Sequence, residues 1–210
     1  MAFDMDGVLL RSMQLHYRAW QRAGASLGIR IDRGRIFRHE GEPGTTTVQW
    51  LAAPQYRQVL LRRKERHFAQ WKHRIRPYAG AMPLLRRIAR TPLKLGLVTG
   101  TSRSELLAVL PRQMLRLFDA SVTGDEVPHG KPDPAPYRKI CRILRVRPAE
   151  VLVVENAPFG VQAARRARIG CVVALATTVS PRTLRGAHIV FRSLHELAAW
   201  LRRTHLLRSS

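Results

Sequence analysis

Apolar and polar positions alternate along this chain in two distinct rhythms. Ser12 to Ile29 (SMQLHYRAWQRAGASLGI) carries apolar residues at helical spacing and stops at a glycine, which predicts a helix with a C-terminal end there. YRQVLLRRKERHFAQWKH, residues 56–73, predicts a second amphipathic helix. Further on the rhythm changes. LKLGLVT (Leu93 to Thr99), VLVVE (Val151 to Glu155), CVVAL (Cys171 to Leu175) and AHIVF (187–191) are short, continuously apolar runs, the mark of strands buried on both faces. Helical patterns separate them at Arg103 to Leu117, Pro134 to Leu144, Phe159 to Ala167 and Ser193 to Arg203. Strands alternating with helices predict an α/β protein, a Rossmann-like parallel sheet flanked by helices. Residues 13–79 interrupt that alternation with helix alone, so they are expected to form an inserted all-helical cap domain. The α/β core would then comprise 1–12 and 80–210.

Composition adds limits. The 210 residues suffice for one good core and a smaller satellite, and 45% hydrophobic with 24% charged residues suits a globular chain. No apolar run reaches the ~20 residues of a membrane span, and no basic-then-apolar leader opens the chain. Cys141 and Cys171 lack metal spacing and sit in apolar patterns, so they are expected to be reduced core thiols. These features predict a cytoplasmic protein, expected to be a monomer without a membrane partner. The charge stands apart: 37 Lys and Arg, 32 of them Arg, against 14 acids give a formal net of +23. One reading is a polyanion-binding surface. The other is an Arg-biased composition. The basic residues are spread over every helix without interleaved aromatics, which favours the second and argues against a nucleic-acid partner.

The strand ends carry the chemistry. In open α/β sheets ligands bind beyond the carboxyl ends of the strands. There the sequence places Asp4-Met5-Asp6-Gly7, Thr99-Gly100-Thr101-Ser102 and Glu155-Asn156, with Lys131 in the loop HGKPDP. An acid pair, hydroxyls, a lysine and another acid are what phosphoryl transfer through a carboxylate nucleophile requires. One aspartate attacks phosphorus and the other moves the proton. Thr and Lys neutralise the phosphoryl oxygens. The acids suit Mg²⁺, a hard cation preferring oxygen. Gly7 lets the backbone turn sharply beside the acids.

In these four stretches, DMDGV, VTGTSR, GKPDP and VVENAPFGVQAA, the sequence resembles the haloacid dehalogenase-like superfamily. The branch it resembles is that of β-phosphoglucomutase and the small phosphosugar phosphatases. HYRAWQRAGASLGI is similar to the start of that family's helical cap, and the likeness runs through nearly the whole chain. The resemblance implies Asp4 as nucleophile and Asp6 as acid/base, with Lys131 balancing charge. It implies phosphate binding by Thr99, Gly100 and Thr101, and a hinge histidine, His16. It implies a Mg²⁺ site on Asp4, Asp6, Glu155 and Asn156, with a second hinge near Pro77 and Gly80. The implied substrate is a small phosphorylated metabolite, a sugar or polyol phosphate. A mutase, or a weakly active basic binder on the same fold, is the alternative.

Four departures qualify the likeness. Arg11 stands where many relatives have Asp. Asn156 replaces a second acid, offering a carbonyl oxygen without charge, so weaker Mg²⁺ binding is expected. The first strand has only Met1, Ala2 and Phe3 before Asp4, which predicts unpaired groups on its neighbours and raises the alternative of an earlier start. Near Gly44, where the mutases carry a phosphate-holding arginine, the chain is not basic, although Arg38 and His39 lie just before.

Overall fold

The computed structural model describes residues 1–204. In chain order it has β1 (Ala2–Phe3), then α1 (Met13–Ala25), α2 (Arg33–Arg38), α3 (Gly44–Leu51) and α4 (Pro54–Trp71), then α5 (Ala81–Ile88). The alternating part follows: β2 (Gly96–Val98), α6 (Arg103–Val109), α7 (Arg112–Leu115), β3 (Ala120–Val122), α8 (Ala135–Leu144), β4 (Leu152–Glu155), α9 (Pro158–Arg166), β5 (Cys171–Leu175), β6 (Ile189–Phe191) and α10 (Leu194–Arg203). Six strands make one sheet in the order β3-β2-β1-β4-β5-β6, every pairing parallel.

Strand alternation splits the core between the two faces. Phe3, Leu97, Val154 and Val173 face one way, against α5, α6 and α10. Ala2, Val98, Val153 and Val172 face the other, against Tyr137, Ile140 and Leu144 of α8 and Val161 and Ala164 of α9. Cys141 is buried and Cys171 half-buried, both as free thiols. Among the described residues no helix is long and apolar enough to cross a membrane.

Two details differ from the sequence pattern. The helix expected over Arg103 to Leu117 is broken, because Leu110 precedes Pro111 and adopts an extended conformation (ψ 124°). β3 carries no apolar run, since ASV is an edge strand with one face half-covered.

The short first strand is fully paired. Ala2 and Phe3 register with Gly96 and Leu97 on one side and Val153 and Val154 on the other. The Met1 amine donates to the carbonyl of Lys94, Gly96 N–H donates to Met1 O, and Asp4 N–H to Val154 O. Its neighbours are short too, three and four residues, and the bonds at Met1 O and Asp4 N–H carry the pairing one residue past each end of the strand, so the expected lack of partners is not seen at Gly96 N–H or Val154 O.

α1 to α4 pack on one another around Trp20, Ala23, Ile36, Phe37, Val48 and Leu60, a small core of their own. The chain leaves β1 and returns to the sheet side by side. Arg11 N–H donates to Arg76 O, and Tyr78 N–H to Leu9 O, each at 2.9 Å or less.

Candidate active site

Asp4 and Asp6 follow β1 directly and are buried at 2% and 8% exposure. The chain between them and Leu10 folds back: Leu9 N–H and Leu10 N–H both donate to Met5 O, and Gly7 N–H to Leu10 O. Gly7 takes φ +79°, and a Cβ there would lie 2.0 Å from Asn156 Nδ2. Glycine is therefore needed both for the turn and for the close approach of Asn156.

Lys131 is buried at 1% exposure, and its ammonium donates to Asp4 Oδ1 and Glu155 Oε1, both at 2.6 Å, and to Val98 O at 3.2 Å. Three donors meet three acceptors, which is how a buried lysine stays charged. Burial works against that charge, but Asp4 and Glu155 outweigh it and raise the lysine above its usual range. Tyr137 from α8 donates its hydroxyl to the same Glu155 oxygen at 2.5 Å. Burial and the two acids push that phenol well up, so it keeps its proton.

The two aspartates are driven apart. Burial pushes Asp4 up, to about 8, with Glu155 and Asp6 adding to it and Lys131 opposing. Asp6 is equally buried, yet His16 and hydrogen bonds from His16, Ser12 and Thr101 hold it down at about 2. Thr101 Oγ1 donates to Asp6 Oδ2 at 2.9 Å, Thr99 Oγ1 to the same oxygen at 3.5 Å, and Ser12 Oγ to Oδ1. Ser12 precedes α1 but does not cap it, because its hydroxyl serves Asp6 instead. His16, one turn on, stacks on Phe68 and places Nε2 3.4 Å from Asp6 Oδ1.

Gly100 lies beneath the loop that joins α2 to α3: a Cβ on it would meet Gly41 O at 2.2 Å. That loop delivers Glu40, buried at 3% exposure. Glu40 accepts from Asn156 Nδ2 at 2.6 Å and from Thr178 Oγ1 at 2.9 Å. Burial raises the Glu40 carboxyl well above the usual range; the Asn156 bond opposes this and Asp4 adds to it.

All the residues expected from the strand ends thus meet at one rim: Asp4, Asp6, Thr99, Gly100, Thr101, Lys131, Glu155 and Asn156, with His16 beside them. Glu40, Ser12, Tyr137 and Thr178 were not anticipated. Ser12 and Tyr137 lie within helical patterns, and Glu40 and Thr178 in loops, so only their contacts mark them. Arg38 is exposed and does not line the cavity, whereas His39 does.

The cavity over this rim, about 190 Å³, is walled by both the helical segment and the sheet loops. In a chain of net +23, its lining is acidic. Asp4, Asp6, Glu40, Glu42, Glu65, Glu105 and Asp125 are half of the 14 acids, and among the described residues Lys64 is the one lysine or arginine in the lining. Lys64 is itself spoken for, 3.6 Å from Glu105 Oε1 and over the Phe68 ring.

Among the described residues no three acids or histidines form a self-contained metal cage. An oxygen set completed by substrate and water is nonetheless what Mg²⁺ uses. Asn156 fits it, since its Oδ1 is buried without a hydrogen-bond partner. Such an atom costs stability unless something binds it.

Comparison with known proteins places the chain in a family. Residues 1–168 match the haloacid dehalogenase-like hydrolase family. The chain is 32% identical over 200 residues to validoxylamine A 7'-phosphate phosphatase of Streptomyces hygroscopicus subsp. limoneus, covering 93% of each. It is 31% identical over 176 residues to a phosphorylated carbohydrates phosphatase of Thermotoga maritima, covering 80% of each. A hydrolase from Pseudomonas syringae superposes with a TM-score of 0.88 at 25% identity, over 96% of this chain and 97% of that one. With its sheet order, its strand-end acids and a family match across four-fifths of its length, the chain belongs to the haloacid dehalogenase-like hydrolases.

Proposed function

We propose that this protein is a Mg²⁺-dependent phosphatase of a small phosphorylated carbohydrate or polyol, working through a phosphoryl group carried on Asp4. The observation that carries the reading is the buried array in which Lys131 joins Asp4 to Glu155 at 2.6 Å, beside Asp6 and its two threonines. Relatives that act on phosphorylated carbohydrates support the substrate class.

In this reading Asp4 Oδ attacks phosphorus, the P–O bond to the sugar breaks, and Asp6 gives its proton to the departing alkoxide. Water then attacks the phosphoryl group on Asp4, Asp6 takes the water's proton, and inorganic phosphate leaves. Lys131, the Thr99 hydroxyl and the backbone of Gly100 hold the phosphoryl oxygens. Asp4, the Asp6 carbonyl and Asn156 would hold Mg²⁺, with Glu155 behind them. Bound there, it would offset phosphoryl charge.

From the protein's own groups alone, Asp4 is the carboxyl pushed up and Asp6 the one held down, the reverse of these roles. A divalent cation favours ionised Asp4, and a phosphate dianion favours protonated Asp6, so ligand binding supplies the inversion. Residues 13–79 serve in this reading as a cap whose loop at 39–43 closes over the phosphate. A chain with two free thiols suits a reducing compartment such as the cytoplasm.

The acid lining weighs against the mutase. A second phosphate, as a mutase intermediate carries, would meet Glu42, Glu65 and Glu105 with only Lys64 to receive it.

The test is inorganic phosphate release from a panel of sugar and polyol phosphates, with Mg²⁺ and with EDTA. Mg²⁺-dependent release that EDTA abolishes is expected. No release from any member would refute the reading, and conversion of a sugar 1-phosphate to its 6-phosphate without free phosphate would favour the mutase.

A further inference from the structure

Asn156 is an amide where a carboxylate would need no orienting. A carboxylate offers oxygen from either end, whereas an amide offers it from one. Its two N–H donors are both used: one goes to Glu40 Oε1 at 2.6 Å, the other to Thr178 Oγ1 at 2.9 Å. The Thr178 hydroxyl then gives its own proton to Glu40 Oε2 at 2.9 Å. With Glu40 ionised, this closed triangle admits one arrangement of the amide, because an oxygen turned toward the carboxylate would face an acceptor. The other end, Oδ1, is left as the buried atom without a partner.

We propose that Glu40 is a positioning residue for the metal site, holding the Asn156 amide so that its oxygen is the end free for a divalent cation. The inference rests on the Mg²⁺ reading above. Glu40 comes from the loop between α2 and α3, not from the sheet. That loop lies on the site: Gly41 packs on the Lys131 side chain and over Gly100, with room for no Cβ at either glycine. Cation affinity is therefore tied to the seating of the helical segment on the core. A cation bound at Asn156 favours the seated loop, and an undocked loop releases the amide. Coupling of this kind is reciprocal. It also accounts for how the chain tolerates an amide at this position, since the orientation that a carboxylate would not need comes from a neighbour.

The experiment is a calorimetric titration of the full chain with Mg²⁺ in phosphate-free buffer. Four proteins are compared: wild type, Glu40→Met, Asn156→Asp and the double variant. Methionine keeps the volume and removes the acceptor. Outer-shell partners typically contribute 10–100-fold to metal affinity, so Glu40→Met should weaken Mg²⁺ about tenfold. In the Asn156→Asp background the same substitution should cost less than about twofold, because a carboxylate has no wrong end. An equal loss in both backgrounds would overturn the proposal, placing the effect in loop packing rather than in the amide. So would a Glu40→Met protein that binds within twofold of wild type. If Glu40→Met does not fold, Glu40→Gln takes its place, with a loss of about threefold that disappears beside Asn156→Asp. A wild type that binds no Mg²⁺ at tens of millimolar would sink this inference and the metal reading together, while leaving phosphate release to judge the hydrolase reading.

Discussion

Replacing Lys131 by methionine tests the centre of the site through stability as well as activity. The ammonium holds two buried carboxylates and a carbonyl, and methionine fills its volume without a charge. Removing one partner of a buried ion pair costs ~3–5 kcal/mol, because the other charges stay buried and uncompensated. Against a total margin of ~5–15 kcal/mol this is large. At ~2–4 °C per kcal/mol for a chain of this size, the melting temperature should fall by roughly 6–20 °C. The loss should also depend on pH. Asp4 already sits high in the fold, at about 8, because of burial, and Lys131 is the group pulling it down. Without the lysine it rises further above its unfolded value near ~4. A carboxyl raised in the folded state holds a proton that the unfolded chain has released, so stability falls as pH climbs from the unfolded value toward the folded one. The slope is at most ~1.4 kcal/mol per pH unit for each extra proton held. Urea unfolding followed by circular dichroism, in EDTA at pH 6.5 and pH 9.5, reads both effects. The gap in midpoint between wild type and Lys131→Met should be wider at pH 9.5, because below about 8 both folded proteins hold the Asp4 proton and only above it does the wild type release it. A gap that is absent, or the same at both pH values, would refute the claim that Lys131 is the charge partner of Asp4.

Three further outcomes are expected. Asp4→Asn should lower turnover at least ~10³-fold while the far-ultraviolet spectrum stays native, as for a group that acts as part of a catalytic unit; turnover near wild type would remove Asp4 from the nucleophile role. Tyr137→Phe should cost ~1–2 kcal/mol, read from chemical denaturation, because Glu155 loses a buried donor; no change in midpoint would mean the hydroxyl contributes nothing. Amine-bearing sugar phosphates should be hydrolysed with higher kcat/KM than bisphosphates, and Glu65→Lys, an exposed change at the cavity wall, should narrow that ratio by roughly tenfold at low salt; an unmoved ratio would show that the acid lining does not select substrate.

Much of this was legible along the chain, and for local reasons. Buried parallel strands must be apolar on both faces, so VLVV and CVVAL announced themselves, and the polar residues at their ends had to be the rim of a site. Helical periodicity marked α1, α4, α8, α9 and α10 within a few residues. β3 was hidden because an edge strand needs no continuous apolar run, and the break at Pro111 was hidden inside a pattern that stays amphipathic across it. What the chain could not announce were contacts between residues distant in sequence. Glu40 is 116 residues from Asn156, Tyr137 is 18 from Glu155, and Lys64 stands against Glu105. None has a period or a motif, because a hydrogen bond made across two elements imposes nothing on its sequence neighbours. The acidic cavity in a basic chain is of the same kind. Composition sums charge over the whole surface, and only the folded arrangement brings half of the acids onto one wall. Identity at the strand ends follows from local chemistry, whereas the orientation of the Asn156 amide and the sign of the field in the cavity follow from which side chains the fold sets face to face.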